Sequence, residues 1–263
     1  MHIDRGIVFA EREGFRALEL DVYRASAVPS AVAPLLVYVH GGGWRQSHRG
    51  RAPRETREWS PGFFERLTAA GFVVAAPAYR FSGEASFPAQ RDDVLDAIRW
   101  LHANAGELGV DPARTYCWGT SAGGLLAGLA ALVPGSPPVA GVVCWYPVTD
   151  LLALDHLATD SFEAQLLGGP IGERLDLARD ASPVTHVHAG APPFLLQHGQ
   201  ADTWIPCAQS IRLAGKLRTV GASIQLQTVP GADHFFAGAP DIEAIFDRAV
   251  AFLLRRDRAR SGS

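Results

Sequence analysis

Three separated groups of residues in the sequence have the types and spacing that nucleophilic acyl transfer requires. The first group fits the pattern G-x-S-x-G and reads Gly119-Thr120-Ser121-Ala122-Gly123. An apolar run precedes it and a stretch of small residues follows, as in a tight strand-to-helix turn that projects a serine hydroxyl above a sheet. The pattern also occurs in ordinary glycine-rich turns, but these flanking segments favour Ser121 as a nucleophile.

The second group is a run of glycines directly after another apolar segment, His40-Gly41-Gly42-Gly43-Trp44. Acyl transfer builds an oxyanion that backbone N–H groups must stabilise, and glycines let the backbone approach closely. We expect the amides of Gly42, Gly43 and Ala122 to form this oxyanion hole, with the amide of Trp44 as a substitute donor. A flexible loop or a phosphate loop is the alternative interpretation, and the missing G-K-[ST] disfavours the phosphate loop.

The third group is an acid and a base late in the chain, Asp202 and His234, each following a predicted strand. The order Ser121, Asp202, His234 is the order of a catalytic triad in α/β-hydrolases and differs from that of the two best-known serine-protease folds. Asp233 is the alternative acid. We disfavour it because a side chain adjacent to His234 should point away from the imidazole.

Short apolar runs alternate with stretches of helical character. The predicted strands are Leu35–Val39, Phe72–Ala76, Thr115–Trp118, Val139–Trp145, Phe194–Gln197 and Ile224–Val229. The predicted helices are Phe63–Ala70, a segment from Asp92 onward, Ser121–Leu132, Ala208–Val220 and Asp241–Arg255. This alternation predicts an α/β fold with a mostly parallel central sheet and helices on both faces.

Two segments differ from this rhythm. In Phe15–Tyr23 apolar residues alternate with Glu19 and Asp21, which predicts a half-buried strand near a sheet edge. Residues 150–193 contain no clear strand, and an insertion of this length is typical of a lid or cap. We expect a single domain over residues 1–263, because the three triad candidates must converge on one sheet.

Composition excludes several classes of protein. The formal net charge is −3, so no basic surplus indicates nucleic acid or an anionic membrane as partner. The three cysteines form no CxxC pair, so we expect no disulfide framework. No nearby acid or cysteine completes a set of metal ligands with His186 and His188, so we expect no metal, and we expect no cofactor.

No signal-peptide-like or membrane-spanning apolar run is present, which predicts a soluble cytoplasmic protein. The sequence does not decide whether the protein forms a homodimer.

Taken with further motifs, these groups resemble the α/β-hydrolase superfamily, and within it the HGGG-type esterases and lipases close to hormone-sensitive lipase. Small feruloyl or acetyl esterase-like and kynurenine-formamidase-like members are the most similar. The further motifs are Ala78-Tyr79-Arg80-Phe81-Ser82, Phe87-Pro88-Ala89-Gln90 with Asp93, Leu167-Gly168-Gly169 with Ala181-Ser182-Pro183, and His198-Gly199-Gln200-Ala201-Asp202. Only 39 residues precede His40, so the N-terminal cap of typical relatives is expected to be truncated.

The resemblance implies that Ser121 is the nucleophile, His234 the general base and then acid, and Asp202 the residue that orients His234. It implies a serine carboxylesterase that hydrolyses small acyl or aryl esters through an acyl-enzyme. Arylformamidase and feruloyl or acetyl-xylan esterase are the alternative activities. A non-catalytic small-molecule-binding homologue is the alternative from a different class.

Two further sets of residues flank these motifs. Aromatic residues at strand ends are candidates for the substrate pocket, although ordinary core packing explains them equally well: Trp44, Tyr146, Trp204 and Phe235. Five arginines follow the glycine run and are diluted by Glu55 and Glu58: Arg45, Arg49, Arg51, Arg54 and Arg57. This composition favours a solvated loop over a carboxylate-binding site.

Overall fold

The computed structural model describes residues 1–26, 32–154 and 159–261. Within these residues one eight-stranded sheet has the order β1-β2-β4-β3-β5-β6-β7-β8. The strands are β1 (His2–Ala10), β2 (Leu18–Arg24), β3 (Ala33–Val39), β4 (Val73–Pro77), β5 (Val110–Thr120), β6 (Gly141–Trp145), β7 (Phe194–Gly199) and β8 (Ile224–Val229). β2 pairs antiparallel with β1 and β4, and the remaining neighbours are parallel, which confirms the predicted α/β class.

Helices connect the strands across both faces of this sheet. They are α1 (Phe63–Ala69), α2 (Ala89–Ala103), α3 (Ala105–Leu108), α4 (Ala122–Leu132), α5 (Phe162–Leu167), α6 (Leu175–Asp180), α7 (Ala208–Thr219) and α8 (Ile242–Ser261). Short 3₁₀ turns lie at Arg54–Thr56, Leu151–Ala153, Ile171–Glu173, Pro183–His186 and His234–Phe236. None of the described helices combines the length and the apolar character needed to cross a bilayer.

The central strands are apolar throughout because both faces of the sheet are covered. In β3, Leu35 and Val37 pack into the core under α2 and α4, whereas Leu36 and Tyr38 pack into the core under α1 and α8. Successive side chains of a strand point to opposite faces, so a strand buried on both sides has no polar alternation. The parallel strands therefore end at one common edge, where the loops that carry the candidate site begin.

The N-terminal part differs from the sequence prediction. β1 was not predicted, and it pairs along β2, so that β2 is the second strand from the edge. Asp21 is fully buried rather than solvent-facing. Its carboxylate accepts hydrogen bonds from the Gly6 amide (3.0 Å) and from Arg49 Nε (2.8 Å), which offset the cost of burying the charge.

The segment predicted as a lid contains α5, α6 and short 3₁₀ turns, and its described residues include no strand. Residues 155–158 of the segment lie outside the described part. Leu166, Ile171 and Ala178 are buried in the same core as α2 and α4, so much of the segment packs onto the sheet layers. Its contact with the candidate site is made by residues 161–163. The lid assignment and the single-domain division stay predictions.

Candidate active site

Ser121 occupies a tight turn between β5 and α4. Its φ of 53° and ψ of −122° are rare for a non-glycine residue, and its amide donates to the carbonyl of Trp145 (2.9 Å). A Cβ added at Gly123 would overlap the carbonyl oxygens of Val39 and His40. The turn therefore brings β5 and α4 so close to β3 that only glycine fits, and it holds Ser121 at the carboxyl edge of the sheet.

The glycine run forms a second tight turn beside Ser121. Gly42 and Gly43 have φ values of 116° and 61°, and the amides of Arg45 and Gln46 donate to the Gly42 carbonyl (3.2 and 3.3 Å). Within the described residues, no backbone hydrogen bond is recorded from the amides of Gly42 or Gly43. Ala122 is the first residue of α4, where an amide has no acceptor within the helix. These three amides are thus available to a ligand.

His40 stabilises the start of this loop and is not a candidate for the general base. Burial lowers the pKa of His40 to about 4, so the imidazole is neutral at physiological pH. Its Nδ1 lies 2.8 Å from the Gly41 carbonyl, which can only accept, so Nδ1 carries the proton. The ring stacks on Tyr79 at 4.4 Å, and the Tyr79 hydroxyl donates to the His40 carbonyl (3.0 Å).

His234 and Asp202 meet in the loops that follow β8 and β7. The Nδ1 of His234 lies 2.7 Å from Oδ2 of Asp202. Oδ1 of Asp202 accepts hydrogen bonds from the amides of Trp204 (2.9 Å) and Ile205 (2.8 Å). Burial alone would raise the pKa of Asp202, but hydrogen bonds from His198, His234 and Ile205 hold it well below its usual range. Asp202 is therefore an anion that fixes the orientation of the imidazole.

His198 contacts the same carboxylate oxygen of Asp202 as His234 does. This imidazole is fully buried, with Nε2 3.2 Å from Asp202 Oδ2 and 2.9 Å from the carbonyl of Ile205. Both neighbours accept, so Nε2 carries a proton, while the Ser210 hydroxyl lies 2.7 Å from Nδ1. The resemblance drew attention to this histidine, but its contact with the carboxylate emerges only in the structure.

Asp233, the alternative acid, has different partners. Its Oδ1 accepts hydrogen bonds from the amide of Thr203 (2.9 Å) and from the backbone amide of His234 (2.7 Å). The carboxylate thus fastens the loop backbone, whereas the imidazole of His234 turns toward Asp202. This arrangement agrees with the expectation that the side chain of Asp233 points away from the ring.

A cavity of about 730 Å³ joins these elements. Its lining includes the candidate nucleophile and base, the candidate oxyanion donors and the four predicted aromatics: Ser121, His234, Gly42, Gly43, Ala122, Trp44, Tyr146, Trp204 and Phe235. Asp202 lies behind the imidazole. No group of three or more His, Cys, Asp or Glu side chains among the described residues is arranged to hold a metal ion.

The aromatic residues of the cavity have distinct surroundings. Trp44 is buried and its indole N–H donates to the carbonyl of Ala122 (3.1 Å), so it fastens the glycine loop to the start of α4. Trp204 is 61% exposed and stacks on the imidazole of His234 with 5.2 Å between ring centroids. Tyr146 approaches the same imidazole edge-on at 4.6 Å. The imidazole is therefore confined by aromatic rings as well as by Asp202.

Glu55 contacts the cavity residue Tyr146 from behind the lining, which the sequence did not reveal. Its Oε1 accepts a hydrogen bond from the Tyr146 hydroxyl (2.6 Å), and its buried Oε2 has no hydrogen-bond partner among the described residues. Burial raises the pKa of Glu55 to about 7, although the Tyr146 hydrogen bond and the charges of Arg57 and Arg54 oppose this change. An acidic residue within an arginine-rich loop gives no local signal of such a contact.

The protonation of Glu55 predicts a pH-dependent stability. The folded protein holds this proton up to about pH 7, whereas an ordinary glutamate loses it near 4.5, so stability falls as pH rises between these values. We expect this part of the fall to disappear in Glu55→Gln, which keeps an acceptor for Tyr146. Urea unfolding of both proteins at pH 5, 6, 7 and 8 measures the difference. Parallel stability curves would contradict the prediction.

Most of the sequence matches the model of one known protein family. Residues 20–217 match the family model described as BD-FAE. The chain belongs to the BD-FAE family. The matched range includes Ser121 and Asp202 but ends before His234, so the candidate base is located by its contacts in the structure.

Several known proteins that are similar to this chain are described as esterases. Esterase LipQ of Mycobacterium tuberculosis is 30% identical over 95% of this chain and 63% of its own length. A truncated carbohydrate esterase from gut microbiota is 25% identical with a TM-score of 0.83, covering 97% of this chain and 96% of that one. A thermophilic esterase, Est2, from Thermogutta terrifontis is 25% identical with a TM-score of 0.74, covering 99% and 92%.

These similarities identify the superfamily and the fold of the chain, but they do not by themselves identify its activity. The predicted membership of the α/β-hydrolase superfamily, and the α/β-hydrolase fold with it, are confirmed. The chain spans less than two thirds of the length of LipQ, so the activity of that whole protein is not transferred to this one on similarity alone.

Proposed function

We propose that this protein is a serine carboxylesterase that hydrolyses small acyl or aryl esters through an acyl-enzyme. The observation that carries the proposal is the 2.7 Å contact between His234 Nδ1 and Asp202 Oδ2, beside a cavity that Ser121 also lines. A carboxylate on Nδ1 keeps the proton there and leaves Nε2 as the base. Ser121, which lines the same cavity as His234, is then the nucleophile that this base serves.

In the acylation step, the Ser121 oxygen forms a bond to the ester carbonyl carbon while its proton passes to Nε2 of His234. The carbonyl oxygen becomes an oxyanion that accepts hydrogen bonds from the amides of Gly42, Gly43 and Ala122. Collapse of this intermediate breaks the bond to the alcohol oxygen, which takes the proton from His234 and leaves. The anionic Asp202 stabilises the transient imidazolium.

In the deacylation step, water replaces the alcohol. His234 removes a proton from the water as its oxygen bonds to the acyl carbon, the same amides hold the second oxyanion, and Ser121 leaves with the proton from His234. The acid product then departs. These steps use the side chains and amides of the chain together with water.

The proposed substrate class rests on the surroundings of Ser121. The cavity of about 730 Å³ is open to solvent at the exposed Trp204 and is bounded by Tyr146 and Phe235. These aromatic walls favour packing against an acyl or aryl group. Relatives described as esterases, including an ethyl acetate hydrolase of Pseudomonas putida that is 30% identical, support the ester class.

A direct test combines active-site labelling with a substrate series. A fluorophosphonate probe is expected to label the wild-type protein at one position, identified by peptide mass spectrometry as Ser121. 4-Nitrophenyl esters from acetate to decanoate are expected to be hydrolysed, with the short acyl chains preferred. A protein that neither reacts with the probe nor hydrolyses any ester would instead be the non-catalytic binding homologue.

A carbohydrate ester is the second candidate substrate, because the carbohydrate esterase from gut microbiota matches 97% of this chain at a TM-score of 0.83. Comparing kcat/KM for an acetylated xylo-oligosaccharide with that for 4-nitrophenyl acetate tests this candidate. Formylkynurenine and a feruloyl ester belong in the same series, since arylformamidase and feruloyl esterase activities follow from the motif resemblance alone. The highest kcat/KM identifies the substrate class.

A further inference from the structure

The five arginines that follow the glycine run divide into two sets in the structure. Arg49 pairs with Asp21 (2.8 Å) and Glu19 (2.8 Å), and so joins the loop to β2. Arg45 Nη2 donates to the carbonyls of Asp160 (2.7 Å) and Ser161 (3.0 Å), and so holds the residues that precede α5. These two arginines have structural partners and do not line the cavity.

The other three arginines, Arg51, Arg54 and Arg57, line the cavity that contains Ser121. Within the described residues none of them forms an ion pair with a carboxylate. Among the lining residues, the only acid is Glu163. The lining therefore carries a surplus of positive charge, whereas the whole chain has a formal net charge of −3.

One contact places part of this charge near the reacting groups, and a second observation shows that the arginines affect one another. The guanidinium of Arg54 lies over the ring of Phe235 at 5.1 Å, and that ring contacts the imidazole of His234 at 4.3 Å between centroids. Burial lowers the pKa of Arg57, and the charges of Arg51 and Arg54 lower it further. Arg51 and Arg54 are thus close enough to repel Arg57, and an anion bound beside Arg57 would offset that repulsion.

The buried acid of this loop leaves much of the charge unbalanced. Glu55 belongs to the same 3₁₀ turn as Arg54, but it accepts from the Tyr146 hydroxyl instead of pairing with a guanidinium. The planar, multi-donor guanidinium group matches the geometry of a carboxylate, which it binds through two parallel hydrogen bonds. The chemistry that fits this side of the cavity is therefore a carboxylate.

We propose that Arg51, Arg54 and Arg57 form a carboxylate-recognition subsite, and that the preferred esters carry a carboxylate remote from the scissile bond. The inference rests on the proposed esterase function and specifies its substrate class. The composition of the loop favours the alternative of a solvated loop, and all three arginines are exposed, so the two interpretations are left to the test below. The subsite acts on the substrate through charge, so its contribution should be seen in kcat/KM for anionic esters and not in the chemistry common to all esters.

The test compares matched anionic and neutral esters. Mono-4-nitrophenyl adipate is compared with 4-nitrophenyl hexanoate for the acyl side, and 3-acetoxybenzoate with 3-acetoxybenzamide for the alcohol side. Each of the variants Arg51→Gln, Arg54→Gln and Arg57→Gln, and the triple variant, is measured with all four esters. Arg99→Gln is the control, because Arg99 lies on α2 outside the cavity and pairs with Asp96.

We expect the wild-type protein to prefer the anionic member of at least one pair. At least one single variant is expected to lose about tenfold in kcat/KM for that ester, with a larger loss in the triple variant, while the neutral partner changes by less than about threefold. Added salt should reduce the preference, since screening weakens interactions between exposed charges. The pair that responds identifies the side of the substrate that carries the carboxylate.

The outcomes separate this inference from the proposed function. If neutral esters are hydrolysed but neither pair shows an arginine-dependent preference, the subsite is wrong and the esterase proposal stands. If all four esters lose activity equally in an arginine variant, the loop supports the fold and the subsite is again wrong. If the wild-type protein hydrolyses none of the four, both proposals fail together.

Discussion

The Ser121→Ala variant is expected to lose on the order of 10⁵-fold or more in kcat towards 4-nitrophenyl butyrate. The alanine retains the turn between β5 and α4, because the amide of residue 121 still donates to the carbonyl of Trp145. It removes the oxygen that forms the acyl-enzyme, so only the oxyanion donors and substrate binding remain to accelerate direct attack by water. Steady-state hydrolysis and the initial burst of 4-nitrophenol report the loss.

A second serine of the same cavity provides the matched control. Ser161 also lines the cavity, where its hydroxyl caps α5 by accepting a hydrogen bond from the Ala164 amide (3.0 Å). We expect Ser161→Ala to cost about 1 kcal/mol of stability and to keep kcat within a few-fold of the wild type. Wild-type turnover in Ser121→Ala, or an equal loss in both variants, would contradict the role proposed for Ser121.

The parallel part of the fold was predictable because local sequence carries its signal. Strands such as β3 and β7 are short apolar runs between turn residues, and the helix after Ser121 consists of small and apolar residues. β1 was not predicted because its sequence mixes Asp4, Arg5 and Gly6 with apolar residues and has no regular alternation. The burial of Asp21 depends on β1 and on Arg49, which are distant in sequence, so no local pattern could reveal it.

In the candidate site, too, some features have a local sequence signal and others depend on residues that are distant in sequence. Glycines adjacent to a serine, and the chain order of serine, aspartate and histidine, are patterns that can be recognised in one sequence. The hydrogen bond between Glu55 and Tyr146 and the placement of Arg54 above Phe235 depend on how loops from different strands meet. The sequence therefore identified residues that motifs carry, whereas the structure was needed to find those that act through their neighbours.

Asp202→Asn is expected to lower kcat by about 10⁴-fold. Oδ1 of Asp202 accepts from two backbone amides, Trp204 and Ile205, so an asparagine keeps its oxygen there and turns its NH₂ group towards His234. That NH₂ donates to Nδ1 and forces the imidazole proton onto Nε2, where it blocks removal of the Ser121 proton. The variant is thus expected to hold the wrong imidazole tautomer and to lose some stability, because the same NH₂ group also faces the Nε2 proton of His198.

Asp233→Asn supplies the comparison, because the two aspartates flank the same histidine with different partners. Oδ1 of Asp233 accepts from the backbone amides of Thr203 and His234, and an asparagine oxygen can do the same. Its NH₂ group does not reach the position of the Asp202 carboxylate, so the tautomer of His234 is preserved and kcat should stay within about threefold of the wild type. Measuring kcat and thermal unfolding for both variants separates the acid that orients His234 from the acid that fastens the loop. A larger loss in Asp233→Asn than in Asp202→Asn would reverse the assignment.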